Sequence, residues 1–471
     1  MDDHTAALVS LATSVPPHLF HQGEILKAAR AVMAERYPQF ETLASLFANT
    51  GIRHRYGVKP MEWYLEQRGW PERTMAFLEG AESLFVDVAR KALAQADLAA
   101  CEIDTVVTVS STGIATPTLD ARVAGKLGFR PDISRVPIFG LGCAGGVSGL
   151  SIASRLAQSR PGSNVLLVAL ELCTLAVRHD ELTKANIVAA SLFGDGAAAV
   201  VLRAGDGGAT RIEATGEKLW PDTLDIMGWS VDPEGFGVIF QRTIPDFVRD
   251  HMGAAVAEIL SRMDLSIDDV DRFICHPGGA KVIAALERAL SLDQGTLDHE
   301  REVIADYGNM SAPTVLFVLE RLRAQGLPKR SLLTSLGPGF TASCVALRHA
   351  AWLGALWIWG RDQDVDIASL VLFIALQGLR LWILATLGAR WTTRVIVVPD
   401  EPLVASGPYK YFSHPNYAVV VAEIALLPLA LHLALLALIF SGLNAAVLAV
   451  RIRTEVRALS AISGPLPRAA S

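Results

Sequence analysis

A cysteine, a histidine and an asparagine, in that chain order and each among small residues, are the side chains of this sequence best suited to chemistry. Cys143 lies in Gly142-Cys143-Ala144-Gly145-Gly146, His276 in His276-Pro277-Gly278-Gly279, and Asn309 in Tyr307-Gly308-Asn309-Met310-Ser311. A thiol just before a helix that starts near Val147 feels the positive end of the helix dipole, which favours its thiolate. Flanking glycines let backbone approach a bound thioester and leave N–H donors free for an oxyanion. His276 can pair with the thiolate, and with the Asn309 amide it can stabilise an enolate oxygen. Such a set can accept an acyl group on sulfur, decarboxylate a malonyl thioester and join the carbanion to the acyl carbon. A lone cysteine between glycines would read as small-residue packing. Three motifs in this order point to carbon–carbon bond formation.

The elements that must position these residues follow an α/β pattern. Apolar runs at 106–110, 164–171, 197–202 and 272–275 read as buried strands,. Segments 81–96, 147–158 and 280–289 read as helices packed on them,. A reactive residue following a strand, then glycines and a helix, occurs near Cys143 and again near His276, which hints at an internal duplication.

At 471 residues the chain exceeds one typical domain,. Hydrophobic residues make up 51% and charged residues 19%, too apolar for an ordinary soluble enzyme, and the excess sits in the last quarter. After Arg348, segment 367–387 is almost uniformly apolar apart from Gln377 and Arg380. Segment 418–450 is a longer apolar block carrying Glu423, Pro428 and His432. The first is long enough to cross a bilayer, and the second to form two spans broken near Pro428. Segment 350–359 reads as a shorter interfacial piece. Tryptophans 352, 357, 359, 382 and 391 fall toward the span ends,. Arginines 390, 394, 451, 453 and 457 and Lys410 place the intervening segments on the cytosolic face,. A buried helical hairpin in a soluble domain is the competing reading. The net charge of −6 argues against a nucleic-acid surface,. Cys101, Cys143, Cys173, Cys275 and Cys344 are scattered without metal-ligand spacing, so a reduced compartment and no metal site are expected,. The acidic start Met1-Asp2-Asp3-His4 is unlike a signal peptide, which leaves the front in the cytosol,.

From about Ala6 to Arg348 the sequence resembles the type III polyketide synthases, the chalcone-synthase superfamily. The resemblance rests on Gly140-Leu141-Gly142-Cys143-Ala144-Gly145-Gly146, Leu192-Phe193-Gly194-Asp195-Gly196-Ala197-Ala198, Cys275-His276-Pro277-Gly278-Gly279, Tyr307-Gly308-Asn309-Met310-Ser311 and Gly337-Pro338-Gly339-Phe340. It implies an α/β thiolase-like fold over residues 1–348, five-layered, with duplicated βαβαβαββ halves at about 1–205 and 206–348. It further implies a homodimer that takes acyl-CoA and malonyl-CoA and extends iteratively. Cys143 would carry the acyl group, with His276 and Asn309 driving decarboxylation. Phe193 and Phe240 would be aromatic gatekeepers, and Ala176 would lie where cavity size is controlled. Arg53 and Arg55 would lie near the CoA phosphates. Ser111-Thr112-Gly113-Ile114-Ala115-Thr116-Pro117 and Glu62-Trp63-Tyr64 resemble the bacterial branch, whose alkylresorcinol and alkylpyrone products are built on long fatty-acyl starters. A ketoacyl synthase III, extending once, also uses Cys, His and Asn, but would favour Gln-Ala-Asn after the histidine where this chain has Pro277-Gly278-Gly279.

Residues 349–471 carry a second signal. Glu401-Pro402-Leu403-Val404-Ala405-Ser406-Gly407-Pro408-Tyr409, Tyr411-Phe412-Ser413-His414-Pro415-Asn416-Tyr417 and Arg451-Ile452-Arg453-Thr454-Glu455 together resemble the isoprenylcysteine carboxyl methyltransferases, all-α integral-membrane enzymes. The match implies an S-adenosylmethionine site of Leu403, Val404, Tyr409, His414, Pro415, Asn416, Tyr417 and Glu455, with Arg451 facing the methyl acceptor. Ser413 replaces the family's arginine before His-Pro, and Ala418-Val419 stand where a glycine is usual. The expectation is a protein integral to the cytoplasmic membrane, both sites facing the cytosol, that O-methylates its own phenolic or enolic product. A non-catalytic anchor is the alternative for the tail.

Overall fold

The computed structural model describes residues 5–205, 209–349, 360, 363–387, 407–410, 415–445 and 448, and the chain divides into two compact units, Met1–Ala350 and Ala351–Ser471. The strands of the first unit are β1 (Ala6–Ser14), β2 (His18–His21), β3 (His54–Gly57), β4 (Thr105–Val109), β5 (Ser134–Ile138), β6 (Asn164–Leu172), β7 (Asp195–Ala204), β8 (Thr210–Leu219), β9 (Met227–Asp232), β10 (Gly235–Phe240), β11 (Arg272–Cys275), β12 (Arg330–Gly337) and β13 (Thr341–His349). Nine of them form one sheet in the order β11-β12-β13-β8-β1-β7-β6-β4-β5, while β2 pairs with β3 and β9 with β10.

The sheet is one pattern used twice. Along β4, β6, β7 and β1 a parallel pair is followed by two antiparallel pairs, and β11, β12, β13 and β8 repeat it. The copies meet where β1 and β8 pair through Ala7 and Arg211. Among the described residues β5 has no counterpart in the second copy, where helices Ala280–Ala289 and Asp298–Tyr307 fill the corresponding stretch. The duplication is present, but its register differs from the expected one. Helix Gly145–Ser159 leads into β6 as helix Thr314–Gln325 leads into β12. The counterpart of the Cys143 loop is therefore the Asn309 loop, and His276, just past β11, corresponds to Ser110, just past β4.

Five layers result. Helices Gly145–Ser159 and Thr314–Gln325 form the middle, with Val147, Leu150, Val315 and Leu316 packed among residues from both halves of the sheet. Helix Trp70–Gln95 covers the outer face of the first half, and helices Ile244–Ser261 and Ala280–Ala289 cover the second. Strand β6, helix-covered on both faces, is buried at all 9 positions, which is why Asn164–Leu172 reads as a continuous apolar run. Helix Gly145–Ser159 is buried at every position from Gly145 to Ser151, a stretch built of glycine and serine beside Val147 and Leu150, since bulkier residues would hold the central layer apart.

In the second unit, helix Ile367–Leu387 packs against helix Pro415–Ala430. Gln377 Nε2 donates to Glu423 Oε1 at 2.8 Å, and the Arg380 guanidinium pairs with the other Glu423 oxygen. The chain breaks at 431–433, where the amides of Leu431 and Leu433 both donate to the Pro428 carbonyl, before helical residues resume at 434. The expected break near Pro428 is therefore present. The expected membrane spans are a different matter: among the described residues no helix is long and apolar enough to cross a membrane. Pro415–Ala430 has 16 residues, fewer than the ~20 that a bilayer core needs.

Candidate active site

Cys143, His276 and Asn309 line one cavity of about 460 Å³. Its other walls are Met227 and Phe240 from the β9–β10 hairpin, Thr334 to Leu336 from β12, Phe340, and an apolar end made by Ile244, Met252, Val282 and Leu286. The structure thus brings Cys143, His276, Asn309 and Phe240 to one cavity.

Cys143 sits in a single 3₁₀ turn, Gly142–Ala144, that runs directly into helix Gly145–Ser159. The Ser111 hydroxyl accepts the amides of Gly140 and Gly142 at 3.2 and 3.1 Å, fixing the loop before the thiol. Gly142 has φ +48°, and a Cβ there would meet the Pro338 ring at 2.7 Å. A Cβ on Gly337 would meet Ala144 Cβ and Leu141 O at 2.5 Å. The Gly337-Pro338 turn therefore seats directly on the cysteine loop, which explains why both motifs are glycine-rich.

Asn309 is oriented by its neighbours. Its amide donates to Leu192 O at 2.8 Å and its carbonyl accepts Gly194 N at 3.0 Å, locking it against 192–194. Its Oδ1 accepts the Ser311 amide at 2.8 Å, while Nδ2 reaches Gly278 O only at 3.3 Å. With Oδ1 engaged, the N–H₂ is the end left to bind a substrate oxygen. His276 is placed by its amide, which donates to Thr334 O at 2.8 Å. Both ring nitrogens are buried without a partner among the described residues, so the imidazole is free to serve whatever enters.

The electrostatics correct one expectation. Burial pushes the Cys143 thiol up to about 11, assisted by the nearby charge of Glu171, although a hydrogen bond with Ser311 acts the other way. Burial also pushes the His276 imidazole down to about 4. Desolvation outweighs the helix dipole and favours a neutral thiol and a neutral imidazole.

Glu171 was missed in the sequence, although a lone carboxylate inside the apolar strand 164–172 is a visible signal. It accepts the Ser111 amide at 2.9 and 3.1 Å and the Thr112 hydroxyl at 2.7 Å, and burial raises it to about 8. Trp229 was missed as well. Its indole N–H donates to Ser111 O at 2.8 Å and its ring meets Phe193 edge-on at 6.4 Å.

The remaining expected residues divide. Phe193 borders a second, apolar cavity of about 590 Å³, lined also by Ile25, Val32, Met33 and Tyr64, and is not among the residues lining the Cys143 cavity. Ala176 is buried on the turn after β6, outside both linings. Arg53 is exposed and paired with Asp306. Arg55 is 2% exposed and bonded to backbone carbonyls, which removes it from any surface phosphate site. In the second unit, Tyr409 lies in the turn Gly407–Lys410, and Pro415, Asn416 and Tyr417 open helix Pro415–Ala430. Leu403, Val404, His414, Arg451 and Glu455 lie outside the described residues. Among the described residues no group of acidic, histidine or cysteine side chains could hold a metal ion.

Comparison with known proteins gives three family matches along the chain. Residues 2–206 match the chalcone and stilbene synthases' N-terminal domain, and residues 211–350 their C-terminal domain. Residues 369–461 match the isoprenylcysteine carboxyl methyltransferase family. A 1,3,6,8-tetrahydroxynaphthalene synthase of Streptomyces peucetius subsp. caesius is 38% identical over 354 residues, 74% of this chain and 94% of that protein. An alpha-pyrone synthesis polyketide synthase-like protein of Mycobacterium tuberculosis is 29% identical over 71% of this chain and 89% of its own length. The crystal structure of 1,3,6,8-tetrahydroxynaphthalene synthase from Streptomyces coelicolor A3(2), 32% identical, superposes with a TM-score of 0.69 over 73% of this chain and 99% of that one.

Proposed function

The chain belongs to the chalcone and stilbene synthase family of type III polyketide synthases, and from that premise we propose that Met1–Ala350 builds a polyketide on Cys143 which the following unit then methylates. The observation that carries the first part is the meeting of Cys143, His276 and Asn309 in one largely apolar cavity.

The chemistry runs in two stages. Cys143 gives its proton to His276 and attacks the acyl-CoA carbonyl; the Cys143 S–C bond forms, the CoA S–C bond breaks, and the proton leaves with CoA. Malonyl-CoA then loses CO₂, and the bonding electrons become an enolate whose oxygen accepts hydrogen bonds from His276 and Asn309 Nδ2. The enolate carbon attacks the acyl carbon and expels the Cys143 thiolate, leaving the lengthened ketide on CoA for the next round. Excluding water from such a cavity protects both the thioester and the enolate.

The apolar end at Ile244, Met252, Val282 and Leu286 supports an acyl-CoA starter with an alkyl chain, and with it an alkylresorcinol or alkylpyrone product. The alpha-pyrone relative supports the same reading. A second reading, malonyl-CoA as both starter and extender, is favoured by the 38% identity to a tetrahydroxynaphthalene synthase. We take the synthase to work as a homodimer, because β5 is one of the two edge strands of the sheet and Phe139 just past it is 55% exposed.

For the tail, the family match at 369–461 supports S-adenosylmethionine as methyl donor and association with a lipid bilayer. Ile367, Val371, Leu372 and Ile374 stand exposed along helix Ile367–Leu387, a surface suited to acyl chains. The product hydroxyl would take the sulfonium methyl and lose its proton. The test uses the full chain in detergent with palmitoyl-CoA, malonyl-CoA and methyl-deuterated S-adenosylmethionine, the products being read by mass spectrometry. A starter-dependent polyketide carrying the deuterated methyl is expected. It should be absent with Cys143→Ala and present but unlabelled with Glu455→Ala. Malonyl-only products would favour the second reading, an unlabelled product from the intact chain would make the tail an anchor, and a single extension would point to a ketoacyl synthase.

A further inference from the structure

We propose that Arg55 is a positioning residue for the condensation step, a buried fork that holds the crossing of 190–194 and 307–309 and so aims Asn309 at the enolate. The proposal rests on the condensing reading above.

Arg55 lies on β3, and the two guanidinium nitrogens Nη1 and Nη2 of this buried side chain are spent on two backbone carbonyls and the Gln22 side chain. Its Nη1 donates to Phe193 O at 2.6 Å, and Nη2 donates to Ala190 O at 2.7 Å and to Gln22 Oε1 at 3.2 Å. Gln22 in turn donates to Ser191 O at 3.0 Å and to Phe47 O at 3.1 Å. Arg55 and Gln22 together therefore hold three carbonyls of the four residues 190–193. That segment is the one locked to Asn309, whose amide donates to Leu192 O and whose carbonyl accepts Gly194 N.

The arginine stem fills the space behind this crossing. A Cβ on Gly194 would lie 3.3 Å from Arg55 Cβ and 2.3 Å from Tyr307 O. A Cβ on Gly308 would lie 3.4 Å from both Arg55 Cβ and Cδ, and 2.8 Å from Leu192 O. Glycines on both crossing segments are thus the condition for the arginine to pass between them. The nearest interacting carboxylate, Asp195, does not take the charge by direct contact: its oxygens accept Val58 N, Thr174 N and the Thr174 hydroxyl. A buried cation is costly. Its retention here without a contact ion pair makes sense if a planar, two-pronged donor is what the crossing needs, a shape lysine lacks.

The prediction separates two steps of the same site. Acyl loading on Cys143 needs the thiol and His276, whereas starting malonyl-CoA decarboxylation needs Asn309. Arg55→Met and Arg55→Lys are compared with wild type by intact-protein mass for loading, and by carbon dioxide release from malonyl-CoA without starter. Loading is expected within about twofold of wild type, while kcat for decarboxylation falls about 10- to 100-fold with little change in KM, the size that a ~1 Å misplacement produces. Lysine should not restore it. Equal loss of both steps in folded variants would reduce Arg55 to a stability residue, and full activity in Arg55→Lys would refute the two-pronged role. Should the arginine variants not fold, Gln22→Met, which removes one of the fork's acceptors, must show the same one-sided loss or the proposal falls. Wild-type protein that neither loads nor decarboxylates would instead overturn the condensing reading itself.

Discussion

Gly146→Ala tests whether the two central helices set the spacing of the catalytic groups. A Cβ on Gly146 would stand 2.2 Å from Ala312 O, 3.0 Å from Val315 Cγ1 and 3.2 Å from Ala312 C. The first of these is backbone, with no rotamer to yield, so one helix must shift by about 1 Å to restore an ordinary contact. Overpacking of this kind costs about 3 kcal/mol at the upper end, and the ~1 kcal/mol that alanine gains over glycine in a helix leaves about 2 kcal/mol of destabilisation. Thermal unfolding should drop by about 3–6 °C. The functional consequence should be larger. Gly146 stands three residues after Cys143, and Ala312 three after Asn309, so the displacement falls on the distance between acyl carbon and enolate. Condensation should slow about 100-fold, while acyl loading, which does not use Asn309, should change much less. Circular dichroism melting and single-turnover kinetics on the full chain measure both. A variant that melts at the wild-type temperature and condenses within threefold of wild type would refute the idea that this contact fixes the site.

Two further outcomes follow from charge. Glu171 is raised by burial from 4.5 to about 8, so the folded chain holds a proton that the unfolded chain releases; that contribution to stability is complete below about pH 4.5 and is lost as pH rises through about 8. Melting temperature followed from pH 5 to 9 should fall less steeply in Glu171→Gln, and an unchanged slope would remove Glu171 as its source. His276 has the opposite sign: burial lowers it from 6.5 to about 4, so stability is lost as pH falls through that window, and His276→Gln should flatten the acid limb. In the second unit, Glu423→Leu leaves Arg380 facing apolar helix without its partner and should destabilise that unit by about 1–3 kcal/mol, less than a fully buried pair because Arg380 is partly exposed. Adding Arg380→Met should recover most of the loss, and protease resistance of the tail in the full chain reports it.

Much of this was legible in the residues, for physical reasons that also mark where legibility ended. Strands β4, β6, β7 and β11 stood out because strands covered on both faces become unbroken apolar runs, and Cys143, His276 and Asn309 because chemistry concentrates unusual residues in short motifs. Strand β8 and the β9–β10 hairpin stayed hidden, since Thr210–Leu219 and Met227–Asp232 are only partly buried and carry charged or polar side chains within them. The cavity's apolar end was equally invisible. Ile244, Met252, Val282 and Leu286 come from two helices whose apolar spacing says only that they face a core. Arg55 illustrates the reverse error: an arginine beside Arg53 and His54 reads as surface charge, and only the fold shows its guanidinium turned inward onto carbonyls.

The glycines around Cys143 carry a lesson about why such motifs exist. From the sequence they read as backbone freed for an oxyanion. In the fold, Gly142 clears the Pro338 ring, Gly145 clears Val109 and Ala312, Gly146 clears the Ala312 carbonyl, and Gly337 clears Ala144. Each is a point where one half of the duplicated architecture, or a strand within it, touches the cysteine loop. Since the Asn309 loop is the structural counterpart of the Cys143 loop, the two loops meet through their own helix starts. Close approach of those starts is what brings thiol and amide into one cavity. The motif is therefore first a packing requirement, and the cavity inherits its geometry. Substitutions at these glycines should therefore lose activity through displaced side chains before they lose the fold, the ordering that Gly146→Ala is placed to measure.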